Sequence, residues 1–234
     1  MKPQIYICYG MAKSGSTLAY RLASAVAEAA GAPQGPAGLG GGDGRYAAVI
    51  RPHELDALFA VERPRPVVVK THGGLWRKTA EALAAGRAMA LATCRDPRDA
   101  VLSMLDAGAR GDDWGRSDVE AALKTVRAQV EKFEAWARAP NALVLPYERT
   151  AADPAGAAAR IGEQIGAKVD AEVCAEAALS AGTLLNRGRA HRHAAEMDAA
   201  LAARIGDEFG AFIERWDLGP KAAPKPGVGR FFGG

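Results

Sequence analysis

Apolar and polar positions along this chain fall into blocks whose period changes from one block to the next. Residues 4–9 are a short, almost unbroken apolar run, the mark of a strand buried on both faces. From Ser16 to Ala30 Ala and Leu recur at helical spacing, and Gly31 closes the stretch. Further strands are predicted at 64–70 (PRPVVVK), 89–94 (MALATC) and 141–147 (NALVLPY), with helical stretches between them. The longest helix is expected to start after Asp118, a good N-cap, and it sets Val119, Leu123, Val126, Val130 and Phe133 on one stripe. Pro154 stands in the first turn of a small-residue helix over 155–165, and the Ala-rich stretch from about 194 to 216 reads as another helix. Strands alternating with helices imply an α/β class: a parallel sheet covered on both faces, with ligands beyond the strands' carboxyl ends.

Two segments lack any period. GAPQGPAGLGGGDG (31–44) is loaded with Gly and Pro and reads as a loop, either a surface excursion or a lid over a substrate. Residues 220–234 form a tail in which only Phe231 and Phe232 offer a docking contact, so one domain is expected over 1–219. No internal repeat occurs.

Composition narrows the class. With 234 residues, 49% of them hydrophobic, the chain can bury one sizeable core, and two separate domains are disfavoured. A formal charge of +3 without a long basic run argues against nucleic acid as the main partner and suits a local pocket for a small anion. Cys8, Cys94 and Cys174 are odd in number, far apart and set among apolar residues, as reduced buried thiols in a reducing compartment would be. The N-terminal MKPQIYICYG lacks a signal-peptide core, and no stretch reaches the roughly 18 apolar residues of a membrane span. A soluble cytoplasmic protein is expected.

Candidate chemistry gathers at strand ends. Between the first strand and the first helix stands KSGST (13–17). A turn there exposes backbone N–H groups at the positive end of a helix, an anion site with Lys13 beside it. The nucleotide-triphosphate loop puts Lys directly after its second Gly, whereas Lys13 precedes Gly15, so this is a cradle of another pattern. Ser14, Ser16, Thr17 and the turn's amides are its candidate phosphate ligands. A Ser/Gly turn that merely caps a helix is the competing reading. CRDPRDAVLSM (94–104) places Arg95 at a strand's carboxyl edge, with Asp96 and Pro97 opening a helix and Ser103 about two turns on. Arg95, Asp96, Arg98 and Asp99 also read as a surface ion-pair cluster. In VVVKTHGG (67–74), Lys70 and His72 share one side of an extended chain, and an imidazole with a pKa near 6.5 suits a general base for a hydroxyl.

In this order the motifs resemble those of the sulfotransferases that use 3′-phosphoadenosine 5′-phosphosulfate (PAPS). KSGST (13–17) matches that family's 5′-phosphosulfate turn, and RDPRDAVLS (95–103) matches its 3′-phosphate motif with the Arg-to-Ser interval intact. KTH (70–72) matches the cytosolic branch's base-bearing segment, and VLPYERTAADP (144–154) looks like its fourth-strand segment, whose tyrosine, here Tyr147, lies near the adenine. The resemblance spans residues 4 to about 165. It implies a single-domain, three-layer, P-loop-like fold and transfer of a sulfuryl group from PAPS to a hydroxyl of a small molecule or glycan. The other product would be adenosine 3′,5′-bisphosphate (PAP), and no metal is required. In the family's scheme Lys13 neutralises the leaving group, His72 takes the acceptor's proton, Lys70 orients the sulfuryl oxygens, and Ser103 restrains Lys13.

The chain departs from the family pattern at two places. Leu18 stands where the family usually has an aromatic on the adenine, and the C-terminal phosphate clamp is only echoed by NRGRAHRH (186–193), of which Arg187 and Gly188 are carried over. His191 and His193 form an H-x-H that reads as a solvated helix entry in preference to a metal site. A small-molecule or nucleoside kinase and a noncatalytic nucleotide-binding module are the other classes in view. The acceptor's identity and the oligomeric state, a homodimer included, are left open by the sequence.

Overall fold

A computed structural model describes residues 3–32, 39, 45–112, 115–180 and 189–220. Most of the 31–44 loop, Arg187, Gly188 and the tail with Phe231 and Phe232 lie outside the described residues.

Five parallel strands form the sheet: β1 (Ile5–Gly10), β2 (Tyr46–Ala47), β3 (Val67–Thr71), β4 (Ala88–Thr93) and β5 (Ala142–Val144), in spatial order β2-β3-β1-β4-β5. Successive side chains of a strand point to opposite faces, and β1 shows the consequence. Ile5, Ile7 and Tyr9 enter one apolar cluster, and Tyr6 and Cys8 enter the other.

The Tyr6 face is covered by α1 (Ser16–Ala29), α7 (Pro154–Ile165) and α8 (Ala171–Ser180), joined through Leu22, Val26, Ala158, Ile161 and Cys174. Small side chains on all three let the helices approach closely. The Tyr9 face is covered by α2 (Pro52–Phe59), α3 (Arg77–Ala84), α4 (Pro97–Ala109), α5 (Val119–Ala137), α10 (Ala199–Glu208) and α11 (Gly210–Arg215). On α5 the expected stripe forms, with Leu123, Val126 and Phe133 fully buried and Val119 and Val130 packed at its margins. Asp118 caps this helix by accepting from the Ala121 amide at 2.8 Å.

Several boundaries differ from the sequence reading. The fourth predicted strand, 141–147, is cut to three residues because Pro146 becomes the N-cap of a short helix, α6 (Tyr147–Ala152). The Ala-rich stretch near 194–216 is three helices, α9 (His193–Glu196), α10 and α11. Asp198 starts α10 by accepting from the Leu201 amide, and Phe209 ends it. The two-residue edge strand β2 carries too few positions for a period to register.

Candidate active site

The carboxyl ends of β1, β3 and β4 converge on the N-terminus of α1. Gly10, the last residue of β1, has no room for a side chain: a Cβ there would overlap Ser16 and approach Thr93 Cγ2 at 2.9 Å. That contact folds the chain directly from strand into turn. Lys13 (φ 63°) and Gly15 (φ 73°) then adopt left-handed backbone, and Gly15 caps α1 without a side-chain hydrogen bond. The first intrahelical bond runs from Ala19 N–H to the Gly15 carbonyl, and the first turn carries no acidic residue. The amides of Ser16, Thr17 and Leu18 precede that bond, so this end of α1 has the donors and the dipole for an anion. Burial lowers the Lys13 ammonium pKa below its ordinary value, while Asp112 works in the opposite direction.

Along the β3 side, Lys70 Nζ donates to Thr17 Oγ1 at 2.9 Å and lies over the Tyr46 ring. His72 sets Nδ1 2.6 Å from the Gly10 carbonyl oxygen. A carbonyl only accepts, so Nδ1 carries the proton and Nε2 keeps the lone pair. Burial lowers the His72 pKa to about 4, against the pull of the Gly10 carbonyl and with the aid of the Lys70 charge. The imidazole is therefore neutral at pH 7 and a weaker base than one of ordinary pKa, a correction to the value of about 6.5 expected from the sequence. Trp136 of α5 donates from Nε1 to the carbonyl of the next residue, Gly73, at 3.0 Å and stacks on Tyr9. The backbone on either side of the imidazole is thus fixed, at Gly10 by His72 and at Gly73 by Trp136.

On the β4 side, Arg95 is only 4% exposed. Its Nη2 donates to Asp99 Oδ2 (3.1 Å) and to the Arg189 carbonyl (2.7 Å), and Nη1 reaches toward the Lys13 carbonyl at 3.4 Å. The guanidinium stacks over Tyr147, whose ring packs against Gly15. Its Nε is buried with no hydrogen-bond partner among the described residues. A buried unpaired N–H of a cation costs free energy unless a ligand completes it. Asp96 caps α4 through the Arg98 amide and pairs with the Arg98 guanidinium, and Glu148 Oε1 accepts from the Asp96 amide at 2.9 Å. Burial raises the Glu148 pKa to about 7, with the Asp96 amide opposing. The RDPRD ions are thus an ion-pair cluster, but Arg95, Asp96 and Asp99 are buried where a surface cluster was the competing expectation.

The structure brings Lys13, Gly15, Ser16, Thr17, Lys70, His72, Arg95 and Tyr147 to one edge of the sheet. Ser14 is fully buried, and its hydroxyl donates to the Met11 carbonyl at 2.7 Å. Its contribution is therefore to the turn's shape. Leu18 is 3% exposed and sits in the core with Tyr6, Leu22 and Val68, so it offers no open face to a base. Ser103 is buried one turn after Asp99 on the same face of α4. His193 does open a short helix, but it is not solvated: it is buried and bonded to Asp99. Among the described residues, no three His, Cys, Asp or Glu side chains are placed to hold a metal ion together.

Sequence reasoning missed Trp136, Glu148 and the Asp99–His193 contact. The four-residue spacing of Arg95 and Asp99 held a signal for their pairing. The Asp99–His193 contact joins residues 94 apart and left none.

No family model and no curated protein sequence matches the chain. Solved structures do. A mouse sulfotransferase, SULT7A1, complexed with PAP is 14% identical over 93% of this chain and 87% of that one, with a TM-score of 0.63. Retinol dehydratase, in complex with androsterone and inactive cofactor PAP, is 17% identical over 94% of this chain and 83% of its own, with a TM-score of 0.64. A sulfotransferase from Alicyclobacillus acidocaldarius is 15% identical, covering 93% of this chain and 95% of that one, with a TM-score of 0.54. The five-stranded parallel sheet and its helical layers share the fold of these sulfotransferases.

Proposed function

We propose that the chain is a PAPS-dependent sulfotransferase acting on a hydroxyl of a small molecule or glycan. One observation carries the reading: at a single sheet edge, an anion-ready helix terminus lies between a buried arginine whose Nε–H has no partner among the described residues and a neutral histidine protonated at Nδ1. The solved relatives, several bound to PAP, support it through their shared fold.

PAPS supplies an activated sulfuryl group, so the protein's work is positioning and charge stabilisation. The amides at the start of α1, with Ser16 and Thr17, hold the 5′-phosphosulfate. Arg95 holds the 3′-phosphate, and Tyr147 borders the same pocket. Lys13 neutralises the charge that develops on the departing nucleotide. His72 Nε2 accepts the acceptor hydroxyl's proton while Nδ1 stays on the Gly10 carbonyl, and Lys70, anchored at Thr17, orients the sulfuryl oxygens. The reading includes Arg187 and Gly188 as further phosphate ligands, Ser103 as a restraint on Lys13, and a cytoplasmic setting suited to three buried free thiols.

Calorimetry with PAP, followed by transfer assays with labelled PAPS against an acceptor panel, tests the proposal. Arg95→Ala is expected to weaken PAP while sparing adenosine 5′-monophosphate (AMP). Lys13→Ala and His72→Ala are expected to leave PAP binding within a few-fold and to lower turnover by about a hundredfold or more. A protein that binds PAP no better than AMP would sink the reading.

A further inference from the structure

Residues 189–193, which lead into and open α9, are tied at three points to α4 and to Arg95 just ahead of it. The Arg189 carbonyl accepts from Arg95 Nη2 at 2.7 Å, and Arg192 pairs with Asp106 at 2.8 Å. His193 meets Asp99 twice, its amide at 2.9 Å and its ring Nδ1 at 2.8 Å, both on Oδ1. The other carboxylate oxygen, Oδ2, holds Arg95.

Asp99 is fully buried, and His193 is 5% exposed. Burial alone would raise the Asp99 pKa, yet the two His193 hydrogen bonds and the Arg95 charge hold it well below the usual carboxylate range. An ionised carboxylate facing Nδ1 requires a proton on that nitrogen, so His193 donates. With Oδ1 fixed by two donors, the carboxylate cannot rotate, and Oδ2 has one direction to offer Arg95. That direction lays the guanidinium over Tyr147, with its Nε lacking a partner among the described residues. Buried charge-assisted bonds of this kind fix geometry more firmly than neutral ones.

We propose that His193 is a positioning residue for the nucleotide's 3′-phosphate: through Asp99 it fixes the plane in which Arg95 presents its guanidinium. This rests on the reading of Arg95 as the 3′-phosphate ligand. The Arg189 carbonyl bonds the same Nη2 that meets Asp99, so the pair is held at its carboxylate by His193 and at its guanidinium by the backbone of residue 189.

Two side chains of similar polarity separate positioning from simple packing. The amide nitrogen of Asn reaches about as far as Nδ1 of His, whereas that of Gln extends toward the place of Nε2. The measured quantity is the preference for PAP over AMP, taken as the ratio of their dissociation constants by calorimetry, with thermal melting to confirm that each variant is folded. His193→Gln is expected to cut that preference about tenfold, the scale of one charge-assisted bond, with AMP binding within twofold of the parent. His193→Asn is expected to restore the preference to within about threefold. Equal preference in the parent and both variants overturns the proposal, and so does equal loss in Asn and Gln. Arg95→Ala, measured alongside, separates the two layers. If it removes the preference and His193→Gln does not, only the positioning role fails. If it leaves the preference intact, the assignment of Arg95 itself fails, and the positioning role with it.

Discussion

The ring of Tyr147 lies against Gly15 so closely that a methyl group on that glycine would overlap Cδ2 and stand 2.8 Å from Cε2. Gly15 also has φ 73°, a backbone that side chains resist. Gly15→Ala is therefore expected to destabilise the protein by about 2–4 kcal/mol and to weaken PAP binding, because relief of the overlap moves either the turn or the ring beneath Arg95. Urea denaturation and calorimetry check both effects, and unchanged values for both would refute the packing account.

Trp136 acts on the site from beneath the sheet. Trp136→Phe keeps the stack on Tyr9 but removes the donor to the Gly73 carbonyl. The expected cost is about 1–3 kcal/mol for the unpaired carbonyl. Because His72 is the adjacent residue, turnover should fall more than donor affinity does. Steady-state kinetics with donor and acceptor varied separately would show the split.

Acid affects His72 and Glu148 in opposite directions. His72 has a folded pKa of about 4 against an ordinary 6.5, so between those values the unfolded chain holds the extra proton and stability rises with pH. Glu148 has a folded pKa of about 7 against 4.5, so there the folded state holds the extra proton and stability falls as pH rises. Each effect is of order 3 kcal/mol over its full window, and between pH 4.5 and 6.5 they largely cancel. His72→Gln should leave a stability that declines with pH across that range, and Glu148→Gln one that climbs. Parallel pH profiles for the two variants would contradict the opposed pair.

The same low His72 value bears on catalysis. If His72 is the base, the acid limb of kcat/KM, which reports the free enzyme, should bend near pH 4 and not near 6.5. A limb at the ordinary histidine value would show that the imidazole is far better solvated than its burial implies.

The parts of the candidate site that are local in the chain are legible in its sequence. A strand, a Gly-Ser turn and a helix start lie within 4–30, and Asp96 with Pro97 announced the start of α4. Strand ends bring Lys13, His72 and Arg95 together because a parallel sheet aligns all its carboxyl edges. What escaped was set by contacts between distant segments. Nothing around Trp136 says that its indole will reach a carbonyl 63 residues away, and nothing near His193 says that it will find a buried carboxylate. The burial of Ser14 and Leu18 escaped for a related reason. Their residue types allow ligand contact, but whether a side chain in a tight turn faces outward or inward depends on what packs beneath it.

The three buried thiols make the molecule its own unfolding gauge. Cys94 is packed in the apolar cluster on one side of the sheet, while Cys8 of β1 and Cys174 of α8 are packed in the cluster on the other. Desolvation raises all three pKa values, so a thiol-reactive dye finds little thiolate and no path to it in the intact protein. Labelling followed site by site in mild denaturant would show whether the two helical coats detach in one event or peel away in turn.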